Sequence, residues 1–241
     1  MQSALYVSLS AQVALENRLT TIAGNVANVG TSGFRADGVK FDTFLSRAAS
    51  DPVAFASAGK TYISREKGAL KQTGNDLDVA VDGEGWLAVE TSSGIAYTRD
   101  GRMRIAADGM LQSAAGNAML DPGGAAIIVD PNAGRISISR DGMISQNGRQ
   151  VGALGLFSIA ETANLSRRDN SGVVPDRPAA PVVDFVGQGV AQGYVEESNV
   201  NPIEEMVHLI EVQRTFEQVS ASIDKSEQSL QDAIQKLGQV S

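Results

Sequence analysis

Residues 209–237, LIEVQRTFEQVSASIDKSEQSLQDAIQKL, decide the fold of this chain. Leu209, Val212, Phe216, Val219, Ile223, Ser226, Leu230, Ala233 and Leu237 recur at alternating intervals of three and four. That spacing is a heptad seam, interrupted only by the small polar Ser226. The start is equally clear. Asn201 sits at the N-cap, Pro202 at the first helical position, and Glu204 three residues past the cap in a capping-box-like arrangement. Gly238 marks the fraying end. A helix with one apolar stripe is marginal alone in water. Burying a seam side chain yields about 1.5–3 kcal/mol, while ordering the backbone costs about 1–2 kcal/mol per residue, so the stripe needs a partner.

The other end of the chain supplies one. Leu15, Leu19, Ile22, Val26 and Val29 are spaced 4, 3, 4, 3. Residues 3–28 read as a helix, with Ser3 as its cap, no Pro, and a single internal glycine, Gly24. Leu5, Leu9 and Val13 form an i, i+4 ridge on a different face, so this helix has surface for more than one neighbour. Gly30 and Gly33, flanking Thr31 and Ser32, are expected to end it. Both tails are expected to be poorly ordered or loosely paired in the free chain and to fold into coiled coils as copies join. The alternative is an intramolecular helix hairpin in a stable monomer.

Between the tails the period changes. Residues 35–72 read as an extended connector, with one amphipathic turn at Phe41, Phe44 and Leu45 and a strand-like Thr61–Arg65. From Leu77 to about Val190, short alternating runs are punctuated by Asp82-Gly83, Asp100-Gly101, Asp108-Gly109, Asp141-Gly142 and Asn147-Gly148. Asp-Gly and Asn-Gly suit tight hairpins because both central residues need φ > 0. The polar, Pro-containing residues 164–182 read as an exposed loop, with a final strand in Val182–Val190. The whole is an α+β fold: terminal α-helices forming a coiled-coil stem around a central all-β domain of sandwich or barrel type.

Composition narrows function. The 241 residues are 42% hydrophobic but only 5% aromatic, with 25 Gly, which favours many tight turns over a large aromatic core. Net charge is −8, of which −6 lies in the last 46 residues, against general affinity for nucleic acid or anionic lipid. That acidity reads either as a solvated helix face or as a flank that pairs with basic groups on a neighbour. With no Cys, disulfides and thiol chemistry are excluded. No run of 18 apolar residues predicts direct membrane insertion. The first basic residue is Arg18 and no cleavable secretory signal is visible, so any exit from the cytoplasm needs a route without one.

No catalytic constellation emerges. His208, the only histidine, falls one residue before the seam and reads as a packed or exposed helix residue. Asp76, Asp78, Asp82 and Glu84 are interrupted by Val79-Ala80-Val81, unlike a calcium loop. Gly83-x-Gly85 lacks the rest of a dinucleotide fingerprint. The expectation is no enzyme, no cofactor and no metal.

Three motifs then carry a resemblance. Ile22-Ala23-Gly24-Asn25-Val26-Ala27-Asn28-Val29-Gly30-Thr31-Ser32-Gly33-Phe34-Arg35 resembles the N-terminal motif of bacterial flagellar rod and hook proteins. Ser198-Asn199-Val200-Asn201, between Glu196-Glu197 and Glu204-Glu205-Met206, resembles the C-terminal motif, which leads into a helix with Gln213-Arg214-x-Phe216-Glu217. Residues 73–86, TGNDLDVAVDGEGW, and Tyr97-Thr98-Arg99-Asp100-Gly101 resemble the β-domain signature of the rod members. Gly24 and Gly30 depart from the usual Asn, and Trp86 from the commoner Phe. Gly24 costs its helix about 1 kcal/mol relative to Ala, and either loosens it or allows close packing.

The resemblance implies a structural axial subunit of the basal-body rod, most like a proximal-rod member, with a distal-rod subunit or a non-flagellar coiled-coil surface protein as alternatives. It implies terminal helices lining an axial tube, assembly with other rod proteins and copies of itself, export through the flagellar type III apparatus, and no role for nucleic acid. It divides the chain into 1–34 (helix), 35–72 (connector), 73–195 (β-rich) and 196–241 (long helix). The implied assembly interface comprises Leu15, Leu19, Ile22, Val26, Leu209, Val212, Phe216, Val219, Ile223, Leu230 and Leu237 of the seams. Asn25, Asn28, Phe34, Asn199 and Asn201 of the motifs complete it.

Overall fold

The computed structural model describes residues 2–41, 43–46 and 53–238. Two helices, α1 (Gln2–Ala27) and α2 (Pro202–Gly238), flank a long run of short strands, and every described ladder is antiparallel. The fold is α+β, and its sheets are open rather than closed into a barrel. None of the described helices is long and apolar enough to cross a membrane. The chain divides into a helical unit, from Met1–Ala27, Asp37–Tyr62 and Asn201–Ser241, and a β-rich unit, from Asn28–Ala36 and Ile63–Val200.

In the helical unit, α1 packs against α2. The cap read from the sequence forms: Asn201 Oδ1 accepts the Ile203 and Glu204 amides at 3.1 and 3.4 Å. Along α2 the heptad stripe is the sheltered face. Leu209, Val212, Phe216, Val219, Ile223 and Ser226 are buried or half-buried, while Ile210, Glu211, Gln213, Arg214, Thr215, Glu217 and Gln218 are exposed. On α1 the side chains of residues 2–5, Leu5 among them, lie outside the described residues; of the rest, Ala14, Ile22 and Asn25 are buried and Leu15 and Leu19 half-buried. The stripe therefore turns off the expected line at its end, because Val26 is exposed and Asn25 takes the inward position.

Helix α1 already includes Gln2, so Ser3 stands inside it rather than capping it. A Cβ at Gly24 would meet no heavy atom within 4 Å among the described residues. Two strand pairs belong to this unit: Asp37–Lys40 with Lys60–Ile63, and the antiparallel Thr43–Ser46 with Val53–Ala56. Phe44 and Leu45, expected in an amphipathic turn with Phe41, thus lie in a strand. The side chains of Phe44, Leu45, Leu230, Ala233 and Leu237 lie outside the described residues.

The β-rich unit has its own core. Nine strands form its largest sheet, in which Trp86–Thr91 pairs with Gly94–Thr98, Ala118–Met119 and Leu156–Ser158. A meander of Ile136–Ile138, Met143–Gln146 and Arg149–Ala153 stands beside it in sequence, and Gly189–Gln192 returns to pair with Val79–Asp82. Val79, Val81, Leu87, Leu111, Met119 and Ile144 are all at most 2% exposed in one continuous apolar cluster. Residues 164–182 are not a loop. Leu165–Arg168 and Gly172–Pro175 form a hairpin that joins the main sheet, and Val173 is fully buried.

Candidate assembly surface and its anchoring cluster

In the helical unit, Asn25 organises the end of α1. Its Nδ2 donates to the Asp37 carbonyl and to Glu205 Oε1, each at 2.9 Å, and its Oδ1 accepts the Asp37 amide at 2.9 Å. Only 2% exposed, it satisfies both donors and an acceptor at once. The Glu205 contact sets the end of α1 beside the start of α2, so the helices run antiparallel. With 37 residues against 26, at ~1.5 Å per residue, α2 outruns α1 by roughly 15 Å.

Asn25→Ala would strand the paired amide and carbonyl of Asp37 and the carboxylate contact together. A loss of about 1–3 kcal/mol is expected, read as an earlier urea midpoint in the helical circular-dichroism signal. An unchanged midpoint would show that the side chain is incidental.

Pairing leaves other apolar surface open. Tyr6, Leu9 and Val13 on α1 are 59%, 50% and 42% exposed, and Ile203, Met206, Val207 and Ile210 on α2 are 50–70% exposed. These are contiguous helix faces at i, i+3, i+4 spacing, not scattered residues.

In the β-rich unit, the motif residues 28–36 and 196–200 are held together. Thr31 caps back onto Asn28, its amide to the carbonyl at 3.1 Å and its hydroxyl to Oδ1 at 3.0 Å. Gly33 donates its amide to the Glu196 carbonyl at 2.8 Å. Its φ is +67°, and a Cβ there would overlap the backbone nitrogen of Asp100. Gly33 is therefore required for close approach to the strand end at Arg99-Asp100, a demand beyond the helix stop read from the sequence. Phe34 is 2% exposed, with the Arg167 guanidinium 4.3 Å from its ring centroid. Asn199 accepts the Ala36 amide on Oδ1 at 2.7 Å and donates to Ser64 Oγ and the Glu66 carbonyl at 3.2 and 2.8 Å.

At the centre lies Glu196, 1% exposed. Its Oε1 is 2.6 Å from Arg35 Nη2 and accepts the Gly68 amide at 3.0 Å. Its Oε2 accepts Arg99 Nη1 at 3.2 Å. Arg99 also donates to the carbonyls of Val81 and Gly83, at 3.3 and 2.8 Å. Both guanidiniums lie near the Trp86 ring, 5.7 Å (Arg35) and 5.2 Å (Arg99) from its centroid. The large indole gives these cations a broad π face. Two buried cations face one buried carboxylate, and the exposed carboxylate of Glu84 also favours the charged form of both. Burial pulls Arg35 down to about 10, opposed by Glu196 and reinforced by the like charge of Arg99. Burial lowers Arg99 as well, against the opposing pull of Glu196.

Arg35, Trp86, Arg99 and Glu196 belong to three separate sequence motifs, and nothing in their spacing signals that they meet. Of the seam residues, Leu15, Leu19, Ile22, Leu209, Val212, Phe216, Val219 and Ile223 fall on sheltered helix faces, whereas Val26 does not. Asn25 sits within the helical unit, while Asn28, Phe34 and Asn199 sit within the β-rich unit, and Asn201 caps α2. No cluster of three or more His, Cys, Asp or Glu able to hold a metal occurs among the described residues. His208 is half-buried on α2 and belongs to no such group among the described residues.

Three family models match along this chain in order. They are described as flagella basal body rod protein over residues 5–35, flagellar hook protein FlgE/F/G D1 domain over 80–146, and flagellar basal body rod FlgEFG protein C-terminal over 191–236. The chain belongs to the flagellar basal-body rod protein family, and it is a structural rod subunit rather than an enzyme. Within that family it is FlgF-like. It is 49% identical to the flagellar basal-body rod protein FlgF of Mesorhizobium japonicum and 45% identical to that of Rhizobium meliloti, each over 99% of both chains. FlgF of Caulobacter vibrioides is 33% identical over the full length of both.

Proposed function

We propose that this chain is a proximal-rod subunit that joins the flagellar shaft through its terminal helices and transmits torque without chemistry. The observation that carries the reading is the unfinished surface of the helix pair. Tyr6, Leu9 and Val13 on one helix and Ile203, Met206, Val207 and Ile210 on the other stay exposed after α1 and α2 have packed. Soluble monomers rarely keep such contiguous apolar faces without a partner. In this reading the α1–α2 pair is the resting arrangement, and copies of the chain and other rod proteins extend it into a coiled-coil stem. Asn25 and Asn201 fix the roots of the two helices so that their outer faces are presented in register. The flagellar type III export apparatus delivers the chain, and its place is the rod of the basal body.

Deleting the chain from its host and imaging isolated basal bodies by cryo-electron microscopy tests the proposal. Rods arrested short of the distal segment, with swimming lost, are expected. Full-length rods in the deletion strain would sink it, and rods missing only distal material would move the chain to the distal rod.

A further inference from the structure

The methionines among the described residues differ in access to solvent and in what meets their sulfurs. Met103 and Met119 are buried in the β-rich core. Met110 is half-buried, with Gln112 Nε2 3.9 Å from its sulfur. Met143 is 37% exposed, and Gln150 Nε2 donates to its sulfur at 3.3 Å. Met206 on α2 is 50% exposed, the most of these, and no donor meets its sulfur among the described residues. Oxidation of a thioether starts at a sulfur lone pair. A donor held on that pair slows the reaction, and an open, solvated sulfur reacts first.

The neighbours of Met206 make its oxidation consequential. Ile203 precedes it by one helical turn, Val207 adjoins it and Ile210 follows one turn later, all at least half exposed. The four side chains form a single apolar ridge over the first turns of α2. A sulfoxide places a strong hydrogen-bond acceptor in the middle of that ridge. Covering the ridge then requires desolvating a polar group, where before it only removed apolar surface from water.

We infer that Met206 is the preferred oxidation site among the described methionines, and that its sulfoxide withdraws the α2 ridge from packing against other chains. The oxidant is a peroxide. The Met206 sulfur attacks one peroxide oxygen, and the S–O bond forms as the O–O bond breaks. Sulfur gives up two electrons and the peroxide is reduced. The proton of the transferred hydroxyl passes to the departing hydroxide, which leaves as water. Methionine sulfoxide reductases reverse the change, so the modification is a switch on the free chain and not only damage. The consequence for assembly rests on the rod reading, whereas the site of oxidation does not.

The chain has no Cys, so no thiol competes for the oxidant. Hydrogen peroxide is titrated onto the folded, full-length chain, and sulfoxide at each methionine is followed by peptide mass spectrometry. Met206 is expected to oxidise about fivefold faster than Met143 or Met110, with Met103 and Met119 slowest. Met143 reacting as fast as Met206 would overturn the site. Retention on a phenyl column then reads the ridge on the free chain. At the dose that converts Met206, retention should shorten for the parent and stay at its own starting value for Met206→Leu, which cannot form a sulfoxide. An equal shift in both chains would overturn the role of the ridge. In the cell, Met206→Gln stands in for the sulfoxide, with a polar side chain of similar length and helix propensity. It is expected in isolated basal bodies at about one tenth the level of Met206→Leu. Equal incorporation of the two would overturn the consequence for assembly. Absence of every version from basal bodies, the parent included, counts against the rod assignment alone, since the mass and column results are read on the free chain.

Discussion

Glu196→Gln is expected to destabilise the β-rich unit by about 3–5 kcal/mol, because it strips the counter-charge from two buried guanidiniums at once. Arg35 and Arg99 are each 1% exposed, and neither can reach water without opening the core around Trp86. The amide would still accept the Gly68 N–H, so the loss isolates charge from shape. Arg35→Met should cost less than half as much. It leaves Arg99 and Glu196 as a balanced pair and removes a cation that burial already pulls down to about 10. Trp86, the only tryptophan, reports both variants directly, since each guanidinium lies within 6 Å of its ring centroid. Urea unfolding followed by Trp86 fluorescence gives the midpoints. If Arg35→Met proved as costly as Glu196→Gln, the excess-cation account of this cluster would fail.

That cluster marks where sequence reading stopped. Helices announce themselves within a few residues, because the 3.6-residue period and the Asn201–Pro202 cap are local. Both helices, and the sheltered face of α2 from Leu209 to Ser226, were therefore legible in advance. The phase of α1 near its end was not. Val26 continued the apolar spacing, yet Asn25 turns inward because its amide pairs with Asp37 and Glu205, partners that no periodicity reveals.

Glycine was similarly ambiguous. Asp100-Gly101 reads as a hairpin turn, but Gly101 has no positive φ, and a Cβ there would overlap the Val79 carbonyl. Its role is close approach between strands, which depends on what lies opposite. Asn147-Gly148 does form the tight turn with positive φ at both residues, +50° and +73°.

The hairpin 165–175 was obscured for a different reason. The run Ser166-Arg167-Arg168-Asp169-Asn170-Ser171 and Pro175 gave it a loop's composition, while the buried Val173 that fixes it to the sheet follows only at the end of that polar run. Glu196 meets Arg35 and Arg99 across 161 and 97 residues of sequence. The available signal was indirect: three motifs, each contributing a charge or a large aromatic next to strongly apolar strands. Only the tertiary path brings them to one point.

The second large effect concerns the helices. Val212→Asp with Phe216→Asp is expected to abolish incorporation into rods, and swimming with it, while leaving the β-rich unit folded. Val212 is 3% exposed and Phe216 half-buried on the sheltered stripe of α2. Each apolar side chain is worth about 1.5–3 kcal/mol there, and a carboxylate left without a partner at that position costs more than the contact it replaces. The β-rich unit keeps its own cluster of Val79, Leu87, Leu111 and Ile144, none of which lies on the helices. Its Trp86 unfolding midpoint should therefore stay within about 0.5 kcal/mol of the parent, as for independent sites. Helical circular dichroism should fall, because α2 owes its stability to the stripe and not to propensity alone. A swimming strain carrying both aspartates would show that the stripe is not what the rod grips. A Trp86 midpoint that dropped with them would show instead that the two cores are not independent.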